Sequence, residues 1–184
     1  MTWTVRKSRV VFSDRWVTLK ADDCLTASGV EISPFYTLEY PDWVHAVALD
    51  ENDHVILVRQ YRHGYRGYTL ELPGGVMDAA DTDPVKAAAR ELAEETGYSA
   101  KAFRLLASLS PNPATHTNQV HVVLAQPAQW VKPPDPEPEE GINVIRIPAA
   151  EALRMALRGE MVHAQHVGML VIGLQAANLL HKGI

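Results

Sequence analysis

Three carboxylates lie close together on one short stretch of this sequence, at a spacing that can bind a metal ion. Glu91, Glu94 and Glu95 follow a glycine-rich turn within residues 71–98. On a helix with about 100° per residue their side chains fall within an arc of roughly 100°. Arg90, four residues before Glu94, is placed to hold that carboxylate. A hard divalent cation needs several oxygen ligands and explains the crowding; a solvated acidic face is the alternative.

Turn and capping signals define the helix that must carry these carboxylates. Asp83 suits the N-cap, Pro84 suits the first helical position, and Gly97 is placed to end the helix after Thr96. The glycines of residues 73–75 allow a sharp turn between the preceding strand and this helix. The predicted buried stripe lies opposite the carboxylates and consists of Val85, Ala88, Ala89, Leu92 and Thr96.

These residues resemble a known motif, the Nudix box of the Nudix hydrolases. The resemblance is carried by Gly75 and the run RELAEETGY at residues 90–98. The spacing from the glycine to Arg90 is one residue longer than usual, and Asp81 stands where the family has a glutamate. We interpret the extra residue as a loop insertion before the helix. The resemblance implies a site for Mg²⁺, or Mn²⁺, with Gly75, Glu91, Glu94 and Glu95 as ligands and with Arg90 and Glu94 in catalytic roles.

A second run of residues is similar to the ADP-ribose and nucleotide-sugar pyrophosphatases of that family. Residues 57–62 read LVRQYR, and arginine binds phosphate in a forked, bidentate way. Arg59 and Arg62 are therefore candidates for substrate binding, with a structural salt bridge as the alternative. Glu71, before the glycine turn, matches an acidic residue of such relatives and is interpreted as lining the site.

The loop after the box supplies two further candidates. Pro113 lies 16 residues beyond Gly97, a distance associated in the family with ADP-ribose hydrolases; an ordinary rigid turn is the alternative. His116 in the same loop is placed to contact a ribose or a phosphate, or to satisfy the loop backbone.

A proline-rich acidic stretch at residues 126–143 is predicted to be a mobile surface loop. In the pyrophosphatases that this chain resembles, such a loop carries a glutamate to the site. Glu140 is the best match and Glu139 the next, in the role of the base that activates water. The alternatives are a solubilising loop and direct activation of water by the metal ions.

His163 and His166 have the i, i+3 spacing of metal ligands. No third ligand is evident beside them in the sequence. They are interpreted as surface or interface histidines.

Composition narrows the class of protein. The chain has 184 residues, a net charge of −5 and a single cysteine, Cys24. This balance argues against a general nucleic-acid or anionic-membrane partner, and one cysteine excludes an intramolecular disulfide. Apolar runs fall short of the roughly 18 residues that span a membrane, and the N-terminus lacks a signal-peptide core. We expect a cytoplasmic protein.

The pattern of strands and helices predicts an α+β fold. Residues 9–40 alternate as a small antiparallel β-meander. The family resemblance implies a Nudix α/β/α sandwich with a mixed sheet over residues 44–184, and assigns residues 1–43 to a meander that forms a homodimer. An extra sheet that only covers the core is the alternative for the meander. Strands are expected at 44–49, 54–60, 68–72, 103–109, 119–125 and 142–147, and closing helices at 149–158 and 161–181.

The reaction implied is metal-dependent hydrolysis of the pyrophosphate bond of a nucleoside diphosphate sugar, with ADP-ribose first among the substrates. GDP-mannose or another nucleoside diphosphate derivative is the alternative. A non-catalytic Nudix ligand sensor is less favoured because the box glutamates are intact. A capped-RNA hydrolase is less favoured because the chain is acidic.

Overall fold

The computed structural model describes residues 2–136 and 141–180. The chain forms two compact units. The first comprises Met1–Asp42 and Leu109–Val120, and the second comprises Trp43–Ser108 and His121–Ile184.

The first unit is a three-stranded antiparallel sheet joined by a distant segment of the chain. Its strands, in spatial order, are β1 (Thr4–Ser13), β2 (Thr18–Leu25) and β3 (Glu31–Glu39). The Leu38 N–H donates to the Thr115 carbonyl at 2.8 Å, and the Thr117 N–H donates to the Leu38 carbonyl at 3.1 Å. Residues 109–120 therefore depend on β3 for part of their backbone hydrogen bonding.

The second unit is built on a mixed sheet, with seven strands among the described residues. Its main path runs β10-β5-β4-β9-β8, while β6 pairs with β5 and β7 pairs with β4. The strands are β4 (Trp43–Asp50), β5 (His54–Arg62), β6 (Gly67–Glu71), β7 (Gly74–Val76), β8 (Tyr98–Leu109), β9 (Val120–Trp130) and β10 (Asn143–Pro148). The helices are α1 (Pro84–Thr96), α2 (Ala149–Leu157) and α3 (Ala164–Ala176).

The central strand β4 packs against a helix on each face. Successive strand residues point to opposite faces of a sheet. Val44 belongs to one buried cluster with Ala88 of α1, and Ala46 belongs to another with Leu92 of α1. On the other face the His45 ring lies 4.5 Å, between centroids, from the His166 ring of α3. The predicted α+β sandwich with an N-terminal antiparallel sheet is confirmed.

Several element boundaries differ from the sequence expectation. The glycine turn contains a strand, β7, because Gly74 and Gly75 pair with His45 and Val44 of β4. Strand β9 continues to Trp130 through five residues that we expected in the proline-rich loop. Helix α3 begins at Ala164 and ends at Ala176, shorter than expected. Within the described part of the chain, none of the helices has the length and apolar character needed to cross a membrane.

Candidate active site

The helix that carries the acidic residues begins and ends where its capping residues predict. The Asp83 carboxylate accepts the Val85 N–H at 2.9 Å, and Pro84 is the first helical residue. Gly97 adopts a left-handed φ of 73° and donates its N–H to the Ala93 carbonyl. A Cβ at Gly97 would lie 2.0 Å from the Lys132 carbonyl oxygen, so only glycine fits there. These caps fix the register of the carboxylates.

Arg90 lies between two of the three glutamates. Its Nη1 atom is 2.9 Å from both Glu91 Oε1 and Glu94 Oε2, and its Nη2 atom is 3.2 Å from Asp81 Oδ2. Burial by itself would lower the pKa of Arg90. The neighbouring carboxylates outweigh burial and raise the pKa above its ordinary value, with Glu91 contributing most, then Glu94 and Asp81. The guanidinium therefore stays charged and offsets the repulsion between the carboxylates.

Asp81, which lies in the loop that we interpreted as carrying an insertion, has a local structural role. Its carboxylate accepts the Asp78 N–H at 3.0 Å in a tight turn, and it also bonds Arg90. The residue that stands where the family has a glutamate is thus tied to the loop and to the arginine of α1.

Glu95 lies on the buried side of α1, and the expectation that it shares a face with Glu91 and Glu94 opposite the buried stripe is corrected. It is 4% exposed, and its Oε2 atom accepts the Gly74 N–H at 2.8 Å. Glu95 follows Ala88 by seven residues, nearly two full turns, so it lies at the edge of the carboxylate arc next to the buried stripe, and the pairing of β7 with β4 brings the Gly74 N–H onto this edge. Sequence spacing by itself had placed it with the other carboxylates.

Gly74 and Gly75 bring the backbone against two different partners. Gly74 has a φ of 149°, and a Cβ there would lie 2.1 Å from the Val44 carbonyl oxygen. A Cβ at Gly75 would lie 3.0 Å from Glu91 Oε2. Glycine at these positions keeps the turn flat against β4 and leaves room for the Glu91 carboxylate beside its backbone.

The donor chemistry of this face fits a hard divalent cation. Glu91 and Glu94 supply carboxylate oxygens that are partly exposed, 14% and 43% by side chain, and Gly75 places backbone beside Glu91. As positioned, Arg90 holds both carboxylates. Across residues 2–136 and 141–180, no group of three or more acidic, His or Cys side chains is arranged to hold a metal ion. A cation would bind here in competition with Arg90.

Behind the glycine turn lies a buried carboxylate. Glu71 is 1% exposed; its Oε1 atom accepts from Arg62 Nε at 2.9 Å and from the Thr69 hydroxyl at 2.5 Å, and its Oε2 atom lies 2.7 Å from Arg62 Nη2. Burial raises the pKa of Glu71, but the bonds from Arg62 and Thr69 outweigh it and hold the pKa below the ordinary value. Arg62 therefore makes the structural salt bridge that the sequence left as an alternative, with its side chain still 46% exposed.

Two histidines of this region are buried in the chain itself, although we interpreted His166 as a surface or interface histidine. His166 is 1% exposed; its Nδ1 atom accepts the Leu72 N–H at 2.9 Å and its Nε2 atom lies 3.4 Å from Glu71 Oε2. Burial is the main reason that the pKa of His166 lies well below its ordinary value, and the neighbouring His45 and His163 side chains lower this pKa further. His45 is 7% exposed, and burial lowers its pKa to about 4 despite the opposing effect of Glu71. Both imidazoles are neutral near pH 7.

His163 is only partly buried, and its ring centroid lies 4.4 Å from that of His166. Burial lowers the pKa of His163, while Glu71 opposes the shift. Since Nδ1 of His166 is already bonded to backbone, the i, i+3 spacing serves packing rather than metal binding.

Arg59 and the loop residues occupy other positions. Arg59 is exposed, and its guanidinium carbon lies 4.3 Å above the Tyr68 ring centroid, a cation–π contact on the β5–β6 hairpin. In the first unit, the His116 ring lies 5.0 Å from the Tyr40 ring, and Pro113 is an exposed residue of the same segment. Glu139 and Glu140 lie outside the described residues.

Sequence reasoning missed His45 and Thr69 behind the turn, and it missed the buried contact that His166 makes there. Thr69 donates to the Glu71 carboxylate, His166 accepts the Leu72 N–H, and the His45 ring packs against the His166 ring; each is a polar residue buried inside a strand or helix. Such a residue inside a predicted strand or helix needs a partner when buried, and this is the only signal that pointed to them.

Comparison with known proteins extends over both units. The family model of the NUDIX domain matches residues 39–167, and that of the nucleoside diphosphate sugar hydrolase N-terminal domain matches residues 3–38. An ADP-ribose pyrophosphatase of Mycobacterium tuberculosis is 39% identical over 141 residues, covering 76% of this chain and 66% of that enzyme. This chain therefore spans just under two thirds of the mycobacterial enzyme's length.

Two further relatives match over more of their length. A CMP-5'-(N-acetyl-N-hydroxy-3-aminopropyl)phosphonate hydrolase of Streptomyces rubellomurinus is 31% identical over 96% of this chain and 85% of that protein. A crystal structure of an ADP compounds hydrolase superposes with a TM-score of 0.83 at 26% identity, covering 97% of both chains.

Proposed function

The chain belongs to the Nudix hydrolase family, and from that premise we propose that it hydrolyses the pyrophosphate bond of a nucleoside diphosphate sugar, with ADP-ribose as its main substrate. Water adds its oxygen to one phosphorus, and the bridging oxygen leaves with the other. The products from ADP-ribose are AMP and ribose 5-phosphate. The names of several relatives, which are ADP-ribose, ADP-sugar and GDP-mannose pyrophosphatases, support this substrate class.

One observation carries the proposal: the acidic face of α1 lies directly against the glycine turn. The Gly74 N–H is bonded to Glu95, and the backbone of Gly75 lies beside Glu91. Carboxylates grouped around a backbone turn are the oxygen ligands that a metal-assisted diphosphate hydrolase requires.

Nudix hydrolases generally use divalent metal ions, and we propose Mg²⁺, with Mn²⁺ as a substitute, held by Glu91, Glu94, Glu95 and the Gly75 carbonyl. When bound, the ion neutralises charge on the diphosphate and polarises its phosphorus. Arg90 orients Glu91 and Glu94, to which it is already bonded. Glu95 accepts the Gly74 N–H through its Oε2 atom, which holds its carboxylate beside the glycine turn.

The base is proposed to be Glu140, with Glu139 as its neighbour in the same loop. The described start of that loop supports this, since the Asp135 N–H donates to the Glu94 carbonyl at 2.7 Å at the end of α1. Five residues span at most about 17 Å, so the chain can carry Glu140 to the acidic face. A separate base is useful because carboxylates that bind metal lose basicity.

Substrate contacts are proposed for Arg59 and Arg62 of the second unit, while Pro113 and His116 of the first unit stay candidates from the sequence. The exposure of Arg59 and the 46% exposure of the Arg62 side chain support phosphate binding, because both guanidinium groups lie at the surface of one hairpin. Glu71 is buried, so we assign it to holding Arg62 in place.

A panel of substrates with Mg²⁺ tests the reaction. Release of AMP and ribose 5-phosphate would be measured from ADP-ribose, alongside products from GDP-mannose and a capped RNA. The expected result is the highest kcat/KM for ADP-ribose. A higher kcat/KM for GDP-mannose would make GDP-mannose the main substrate. Hydrolysis of capped RNA alone would replace the proposed substrate class. Tight binding of one compound without hydrolysis would indicate a ligand sensor.

We further propose that residues 1–43 form a homodimerisation unit, that residues 44–184 form the hydrolase domain, and that the protein is cytoplasmic. The first unit supports the proposed dimer because it exposes large apolar side chains, and such side chains mark interaction surfaces when they are grouped. They are Trp3, Val5, Val10, Val11, Phe12, Trp16 and Tyr36. Sedimentation at micromolar concentration is expected to give twice the mass of one chain; a single-chain mass would refute the dimer.

A further inference from the structure

The backbone that leads into the glycine turn is held at three consecutive residues by three different elements. The Leu72 N–H donates to His166 Nδ1 of α3 at 2.9 Å. The Pro73 carbonyl accepts the Ala46 N–H of β4 at 2.9 Å. The Gly74 N–H donates to Glu95 of α1 at 2.8 Å. Such a run of bonds removes the freedom of the segment that sets the position of Gly75.

Helix α3 is brought close enough for this bond by a glycine. A Cβ at Gly173 would lie 2.4 Å from Val47 Cγ1, so α3 approaches β4 where a side chain is missing. Gly173 follows His166 by seven residues and therefore lies on the same helix face. On β4, Val47 and His45 share one face in the same way. The Gly173–Val47 contact thus sets how close α3 lies to β4, and therefore whether His166 can reach the Leu72 N–H.

The hydrogen bonds define the tautomer of His166. Because Nδ1 accepts the Leu72 N–H, its proton is on Nε2, which lies 3.4 Å from Glu71 Oε2. Glu71 is fixed in turn by Arg62 and Thr69. The imidazole therefore has one neighbour at each nitrogen, and these neighbours are consecutive residues, Glu71 at the end of β6 and Leu72 at the start of the turn.

We propose that His166 is a positioning residue for the glycine turn, acting through its Nδ1 bond to the Leu72 N–H and so holding the backbone at Gly74 and Gly75 against the acidic face of α1. The proposal rests on the proposed function, in that this backbone serves the metal site. It assigns a task in hydrolysis to a residue 94 positions from its partner and outside the box.

Three substitutions of His166 test the roles of its two ring nitrogens, Nδ1 and Nε2, separately. In His166→Asn the amide oxygen takes the place of Nδ1 and can accept the Leu72 N–H. In His166→Gln the amide reaches the place of Nε2 and leaves the Leu72 N–H without its acceptor. His166→Leu removes both. The matched control is His163→Asn at the N-cap of the same helix, because the His163 side chain makes no capping hydrogen bond in the described structure.

Amide hydrogen exchange of metal-free protein gives the direct readout. We expect the Leu72 and Gly74 amides to exchange about 3- to 10-fold faster in His166→Gln and His166→Leu, and near the wild-type rate in His166→Asn and His163→Asn. Amides of Val122 and Val123 in the core of β9 correct for any change in global stability. Turnover with Mg²⁺ should fall about 10- to 100-fold in the Gln and Leu variants with KM little changed.

Two results would overturn the proposal. One is equal exchange at Leu72 and Gly74 in all variants after the β9 correction. The other is a loss in His166→Asn as large as in His166→Leu, since the retained acceptor would then be irrelevant. Failure of the proposed function is seen separately, as absence of hydrolysis by the wild-type protein, whereas the exchange data need no substrate and no metal.

Discussion

The glycine turn of this protein has two sides, and they differ in charge, exposure and distance along the chain. On the α1 side, Glu91, Glu94 and Arg90 form a half-exposed charged group within twenty-five residues of the turn. On the α3 side, His45 and His166 form a buried pair of neutral imidazoles. In the functions proposed above, one side supplies ligands and charge, and the other holds the backbone in position.

The difference shows how the two tasks are kept apart. Repelling carboxylates need water, a counter-charge or a cation, so they occupy the open face with Arg90 between them. Neutral imidazoles tolerate burial when each nitrogen has a partner, so His166 can occupy the closed face. Glu95 joins the two sides, because it belongs to the acidic helix but is buried and bonded to Gly74.

The largest expected effect tests whether the α1 side is sufficient for chemistry. Glu140→Gln should lower turnover about 10²- to 10⁴-fold with little change in KM, because it removes the proposed base while leaving the metal ligands. Glu139→Gln is the matched control and should be near wild type. Steady-state kinetics with ADP-ribose and Mg²⁺ measure both.

Other outcomes of these two substitutions would assign the activation of water to a different group. A loss in Glu139→Gln alone would move the base by one residue. Wild-type turnover in both variants would mean that the α1 side with its metal ions generates the nucleophile unaided.

The next effect concerns the carboxylates themselves. Glu94→Gln and Glu95→Gln should each lower turnover at saturating Mg²⁺ by at least about 10²-fold, since each removes a charged ligand. Lys86→Gln, an exposed change on the same helix, is the control. Near wild-type turnover in both glutamine variants would break the assignment of chemistry to the α1 side.

A smaller effect tests the packing of the α3 side. Gly173→Ala should destabilise the fold by about 1–3 kcal/mol, because the added methyl group overlaps Val47. The double variant Gly173→Ala, Val47→Ala should recover part of that loss by making room. Urea unfolding measures both. Equal stability of Gly173→Ala and wild type would show that α3 does not depend on this contact.

The smallest effect is a pH dependence of stability. The pKa of His45 is about 4 in the folded protein against 6.5 for the ordinary side chain, so between these values the unfolded chain binds a proton that the folded one does not. Stability should therefore fall as pH drops from 7 to 5, by at most about 1.4 kcal/mol per pH unit for each such histidine. Denaturant unfolding at several pH values checks this, and a His45→Asn variant with an unchanged slope would contradict it.

Local patterns in the sequence determined the helix of the acidic residues and its ends. Asp83, Pro84 and Gly97 act within one turn of their own positions, so their effect does not depend on the rest of the fold. The Arg90–Glu94 pair is equally local, being one helical turn apart. The run from Gly75 to Tyr98 was also sufficient to indicate the family, since its residue types and spacing recur along a single stretch of chain.

Only the tertiary structure decided which polar residues are buried and what they hold. His166 meets Leu72 across 94 positions of sequence, because α3 packs on β4 at Gly173. Glu95 looked like a third exposed carboxylate until the position of β7 gave it the Gly74 N–H as a partner. Helical spacing states which residues share a face, but which face is covered, and by what, depends on how distant elements pack.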